Sequence, residues 1–327
     1  MEELPRITRE TLDNATLDDW QEEFWYVYKD LDKKRDLHKV WSLAYEDATK
    51  VGEAIREGNP TECLKALAHT FCWISSFAAK LGKDGSCHPR FKGIKEFNKL
   101  SSVVWFKYRG VCPACGESPC VCLNKRAKYT SHEWAVERKR IWAKIKNEEP
   151  GFKKAADVPN KPLDWWQTMF RDIYLGAHTI IRLEDIGFHL LEEMGEVEER
   201  IRDIATRRNL SQKSLEKLQE DLVGEVADTV SWCFSIVRKI AADAETFKPL
   251  AREYGLYTSP SSSQSQGLIA SKLTLSRVLL LEYCPEDQNT IWCPKCWKRT
   301  KGREGRPCKC KMTSDWRLMD PNFKPSR

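Results

Sequence analysis

The sequence predicts an all-α protein built from two related helical bundles in tandem. Three observations carry that prediction. Apolar residues recur every three or four positions through long stretches. No stretch sustains the alternation of a strand. One half of the chain also lies on the other when the sequence is shifted against itself.

The repeat fixes the order of the elements. At a shift of 146, residues 17–55 lie on 163–201 without a gap: Leu17, Asp18, Trp20, Gln21, Phe24 and Tyr28 meet Leu163, Asp164, Trp166, Gln167, Phe170 and Tyr174. At a shift of 159, Ala68, Thr70, Trp73, Ser76 and Lys80 meet Ala227, Thr229, Trp232, Ser235 and Lys239. The growth in shift places thirteen extra residues in the second half, around Arg207–Ser211. Asp18 and Asp164 sit where a helix cap is expected. Ala44, Ala48, Val51 and Ile55 form an apolar stripe in the first half. In the second half the stripes are Leu190, Met194, Val197, Ile201 and Ile204, then Val226, Val230, Cys233, Val237 and Ile240.

These patterns divide the chain. Residues 1–123 form a first helical copy ending in a cysteine knuckle at 112–122. Residues 124–158 connect the copies through a helix over Ser131–Lys146, with Trp134, Ile141, Trp142 and Ile145 available to pack. The second copy spans 159–255, and a Ser- and Gln-rich linker covers 256–267. Residues 268–327 hold a helix from Leu268 to Tyr283 and a second knuckle at 293–310.

Composition narrows the function. The chain has 327 residues, 41% hydrophobic and 31% charged, which suits a globular protein. It lacks a membrane-spanning apolar run and opens on the acidic Met1-Glu2-Glu3, so a cytoplasmic protein with no membrane partner is expected. A net charge of +6 suits an anionic ligand and is too small at this length to argue for nucleic acid by itself. Eight of the 13 cysteines fall into two clusters, a pattern of metal binding in a reducing compartment.

Cys112, Cys115, Cys120 and Cys122 offer four thiolates, and Cys293, Cys296, Cys308 and Cys310 offer four more. Each set matches a closed tetrahedral zinc site, so two structural zinc ions per chain are expected. Lys298, Arg299, Lys301, Arg303, Arg306, Lys309 and Lys311 crowd the second set, beside Trp297, and could touch phosphate or nucleic acid. Cys63, Cys72, Cys87, Cys233 and Cys284 read as small buried residues.

The second copy carries Glu192-Glu193-Met194-Gly195-Glu196 and, one loop later, Glu225-Val226-Ala227-Asp228. Residues three apart share a helix face, so Glu193 and Glu196 project together, as do Glu225 and Asp228. Antiparallel packing of the two helices would converge four carboxylates, the oxygen ligands that magnesium or manganese prefers. The bland alternative is a solvated acidic face, which suits Glu198 and Glu199.

The run Leu-Glu-Glu-x-Gly-Glu followed by Glu-x-x-Asp resembles the signature of the MazG-type all-α nucleoside triphosphate pyrophosphohydrolases, a superfamily that includes dimeric dUTPases and dCTP pyrophosphatases. The resemblance covers the helices of the second copy; the first copy matches only through the repeat, and the knuckles lie outside the common core. It implies hydrolysis of a nucleoside triphosphate to monophosphate and pyrophosphate. The implied magnesium ligands are Glu193, Glu196, Glu225 and Asp228, with Glu192 as a nearby water activator. It also implies a pseudo-dimer within one chain, with room for a further homodimer.

Arg238 and Lys239 are candidates for phosphate contacts or for a solvated helix end. Trp232 could stack on a base, although Trp73 at the matching place favours packing for both. His178 and His189 have no metal-like spacing. The repeat puts Asp47, Lys50, Ala66 and His69 opposite the four acids, changing the formal charge from −4 to 0 and excluding magnesium from the first copy. The competing expectation is a non-enzymatic protein that uses the bundle as a scaffold and the basic knuckle to bind nucleic acid or a partner.

Overall fold

A computed structural model describes residues 7–8, 10–84, 87–148, 160–242 and 273–283, with the side chains at 146, 148 and 175–180 left undescribed. The linker at 256–267, the knuckle at 293–310 and Cys284 lie outside the described residues. So do connector residues 149–158 and the side chain of His178.

Thr16 opens the first helix. Its hydroxyl accepts from the Asp19 backbone N–H while the Asp19 carboxylate accepts from the Thr16 N–H, closing a capping box on α1 (Leu17–Asp32). Such a cap stabilises a helix by about 1 kcal/mol. Asp18 is therefore not the cap expected from the sequence. Lying inside the helix, it accepts instead from the backbone N–H and hydroxyl of Ser101 at 2.8 and 2.7 Å. Asp36 caps α2 (Leu37–Arg56), and Asn59 with Pro60 at the first position starts α3 (Pro60–Lys83).

Short 3-10 turns lead to α4 (Leu100–Lys107), and α5 (Cys122–Arg126) and α6 (Ser131–Glu148) follow. The second half then opens with α7 (Leu163–Ile180), α8 (Leu183–Thr206) and α9 (Gln212–Ala242). Ser211 accepts from the Ser214 N–H at the start of α9, and the turn before it places Asn209 at φ 56°, a left-handed conformation that asparagine tolerates. The last described helix, α10, runs Leu275–Tyr283. Among the described residues every element is helical, apart from one isolated bridge between Thr16 and Pro162. None of these helices is long and apolar enough to cross a membrane.

The apolar stripes meet as their spacing predicts. α2 packs on α3, α8 on α9, and α2 on α8, so one core runs through both halves. Trp41 is fully buried at the α2–α8 seam and donates its indole N–H to the Met194 carbonyl at 2.9 Å. Burying an aromatic of this size contributes about 1.5–3 kcal/mol.

Two short helices cross between the halves. The Gln21 side chain holds the Phe97 carbonyl and the Leu100 N–H, and Asp18 holds Ser101, yet α4 packs chiefly along α9. Gln167 likewise holds the Leu273 carbonyl and the Leu275 N–H, Asp164 holds Ser276, and α10 packs on both α7 and α3. Each half is thus completed by a helix tethered to the other.

Candidate metal centre

Five residues join α8 to α9, so the two helices run antiparallel with their buried stripes face to face. Glu193 and Glu196 border the stripe on α8, and Glu225 borders it on α9. All three are half-buried and offer carboxylate oxygens within 4.8 Å of one another. An octahedral magnesium ion with bonds of about 2.1 Å needs neighbouring ligand oxygens about 3 Å apart and opposite ones about 4.2 Å apart. A group this close could hold a metal ion, and carboxylate oxygens are the donors that hard divalent cations prefer.

Electrostatics points the same way. Burial, reinforced by the Asp228 and Glu225 charges, raises the Glu193 carboxyl to about 8, and Lys107 only partly offsets this. Burial likewise raises Glu225 to about 7, opposed by Lys107 and reinforced by Asp228. Carboxylates crowded in this way hold protons near neutral pH unless a cation replaces them.

Asp228 is adjacent to this cluster but outside it. Its carboxylate accepts from the Lys107 ammonium and, at 2.8 Å, from the Tyr108 hydroxyl. Lys107 also lies 3.7 Å from Glu225. Burial works against the Lys107 ammonium, but Asp228, Glu225 and Glu193 outweigh it and raise its pKa. Burial first, then the Asp228 charge, keep Tyr108 protonated as a donor. Tyr174 donates in turn to the Tyr108 oxygen at 3.3 Å.

Sequence reasoning did not find Lys107 or Tyr108. A signal existed, because at a shift of 175 the run Leu100–Tyr108 lies on Leu275–Tyr283 and sets Lys107 opposite Glu282. Glu282 meets His69 at 2.8 Å, and His69 is the residue matched to Asp228. Tyr108 packs edge-on to Phe170, and Tyr283 packs edge-on to the matching Phe24. At the matching place in the first half, Lys50 lies 2.7 Å from Asp47 and 3.3 Å from Glu46. The Trp73 indole also donates to Asp47.

The other candidates stand apart from the carboxylates. Glu192 is exposed and pairs with His189 at 3.0 Å. That imidazole stacks on the half-buried Trp232 with ring centroids 4.9 Å apart, so one face of the indole is covered. Arg238 bonds the Arg171 carbonyl. It and Lys239 lie ten and eleven residues along α9 from Asp228, which is about 15 Å of helix rise.

Cys112, Cys115, Cys120 and Cys122 bring their sulfurs within 4.8 Å of one another, a group that could hold a metal ion. Hydrogen bonding from Cys112 lowers the thiols of Cys115 and Cys120 toward the thiolate that zinc binds. The knuckle is tied to the second half as well. Tyr174 leaves helical geometry (φ −107°, ψ 18°), and the Cys120 N–H donates to the Ile173 carbonyl at 2.6 Å. Cys63, Cys72, Cys87 and Cys233 are buried and unbridged. Cys293, Cys296, Cys308 and Cys310 and the basic residues between them lie outside the described residues. Comparison with known protein families, with curated proteins and with solved structures finds no match to this chain.

Proposed function

We propose that the chain is a magnesium-dependent nucleotide pyrophosphohydrolase whose active centre lies in the second half. The observation that carries this reading is the meeting of Glu193, Glu196 and Glu225 on two adjacent helices, within 4.8 Å. The resemblance of their sequence frame to the MazG-type pyrophosphohydrolases supplies the substrate class. On this reading the chain is an internal duplication and forms a pseudo-dimer by itself. Each cysteine set holds a structural zinc ion.

The three glutamates would bind the cation, which when present neutralises phosphate charge and lowers the pKa of a bound water. Asp228, oriented by Tyr108, takes the proton as water attacks the α-phosphorus. The α–β anhydride bond breaks, and its electron pair leaves with pyrophosphate. Lys107 exchanges its contact with Asp228 for one with the departing phosphates. Glu192 is too exposed, and too occupied with His189, to be preferred as the proton acceptor.

The test is pyrophosphate release from a panel of nucleoside and deoxynucleoside triphosphates with magnesium. Glu193→Gln is expected to lower turnover by at least about a hundredfold, because loss of a ligand exceeds the tenfold to hundredfold loss typical of outer contacts. Retained activity in this variant, with its helical circular dichroism unchanged, would refute the assignment. The Lys107–Asp228 pair favours a second reading, in which an ammonium replaces the cation and the bundle is a non-enzymatic scaffold for nucleic acid or a partner. Titration of manganese by electron paramagnetic resonance separates the two, since only the first reading needs a bound ion.

A further inference from the structure

A cleft of about 590 Å3 opens beside the carboxylates, between α6 and α9, within the size range of small-molecule sites. Lys107 and Glu225 belong to both the cleft and the acidic centre. The opposite wall is α6, where Arg138, Lys139 and Trp142 share one face because they are three and four residues apart. Arg138 and Lys139 are exposed and meet no carboxylate among the described residues. Trp142 is half-buried, with Phe106 edge-on against it at 6.1 Å.

The knuckle holds this wall in place. Trp134 and Ile141 are buried along the adjoining face of α6. A Cβ at Gly116, which has φ +74°, would lie 3.3 Å from Ile141, so α6 rests directly on the knuckle backbone. Pro113 and Ala114, between the first two cysteines, line the cleft itself.

We infer that this cleft seats the nucleoside triphosphate, with its phosphates between Arg138, Lys139 and Lys107 and its base against Trp142. For the reacting centre this rests on the function proposed above. The α6 wall carries the complementary chemistry, while the α9 wall adds Glu220, Asp221 and Lys217, with Lys217 paired to Asp221 at 3.0 Å. Two cations without ion-pair partners among the described residues suit a polyphosphate. An indole offers a stacking surface that any base can use. The shared residues Lys107 and Glu225 direct the chain of phosphates to the carboxylates. A mononucleotide ends there, whereas a continuous strand would have to carry further phosphates past Glu193 and Glu196. The connector helix and the knuckle thereby become part of the binding site, and Arg238, Lys239 and Trp232 do not.

The experiment is calorimetric titration of the full chain with the α,β-imido analogues of the four deoxynucleoside triphosphates and with a ten-residue single-stranded DNA. At least one analogue is expected to bind. The exposed double variant Arg138→Ala/Lys139→Ala is expected to lose at least about tenfold in affinity while manganese binding stays unchanged. Trp142→Ala is expected to weaken binding and Trp142→Phe to restore it. Unchanged affinity in the double variant and in Trp142→Ala, no binding of any analogue, or tighter binding of the DNA would each overturn the inference. If the analogues bind as expected but no cleavable triphosphate is hydrolysed, the cleft stands and the pyrophosphohydrolase reading fails.

Discussion

Lys107 donates to Asp228 across 121 residues of sequence, carrying a cation from the end of α4 onto α9. Its counterpart Glu282 does the reverse in the first half and brings an anion to His69. The second half thus receives a cation beside its own carboxylates, and the first receives a carboxylate beside an imidazole. On the function proposed above, a magnesium ion would compete with Lys107 for Glu225 and for the field of the neighbouring carboxylates.

That competition sets the first prediction. Lys107→Met removes the ammonium while keeping much of the apolar stem. Manganese affinity is expected to rise, while the metal-free protein loses about 1–3 kcal/mol because Asp228 is left buried without its cation. Thermal melts with and without manganese check both effects. Weaker manganese binding in the variant would contradict the competition.

The second prediction concerns pH. Glu193 and Glu225 are raised from 4.5 to about 8 and about 7 in the folded chain. Folded protein therefore binds more protons than unfolded protein between these values. Metal-free stability is expected to fall as pH rises from about 5 to about 8, and a saturating divalent cation to remove most of that slope. Glu193→Gln is expected to melt at a higher temperature than the parent at pH 8 without metal. A metal-free melting temperature that climbs over this range would exclude the crowded-carboxylate account.

Two glycines in different surroundings supply the third prediction. A Cβ at Gly82 would lie 2.4 Å from the Phe97 carbonyl oxygen, a backbone atom that cannot swing aside, whereas one at Gly195 meets nothing within 4 Å. Gly82→Ala is expected to cost about 1–3 kcal/mol. Gly195→Ala is expected to gain up to about 1 kcal/mol from helix propensity. Urea denaturation of the two variants measures the contrast.

A fourth prediction tests the first knuckle. Metal analysis is expected to return two zinc ions per chain, and one from Cys115→Ser. Because α6 rests on this knuckle, trypsin is expected to cut at Arg138–Arg140 faster in that variant. Equal cleavage rates with one zinc lost would detach α6 from the metal site.

The helices and the carboxylate cluster were legible because their signals are local. The 3.6-residue stripes of α8 and α9 dictate which faces meet, and three-residue spacing puts Glu193 beside Glu196. Lys107 and Tyr108 were not legible in that way. They sit at the end of an eight-residue helix that is apolar on nearly every side, so its periodicity reveals no face. Only its tertiary course, running from α1 to α9, delivers them to Asp228. Asp18 and Asp164 misled for a related reason. Their residue type fits a cap, but their carboxylates are taken by Ser101 and Ser276 on the crossing helices.

The crossing of α4 and α10 also bears on how the molecule comes apart. Bundles strung in tandem commonly melt one after another, each with its own free energy. Here neither can open without stripping the other of a packed helix, so the native state is expected to be lost in one cooperative step. By linkage, any ion that binds only the folded second half stabilises the whole chain. The first half, where Lys50 and His69 stand in place of carboxylates, would thus gain thermal resistance from a cation that it does not itself ligate.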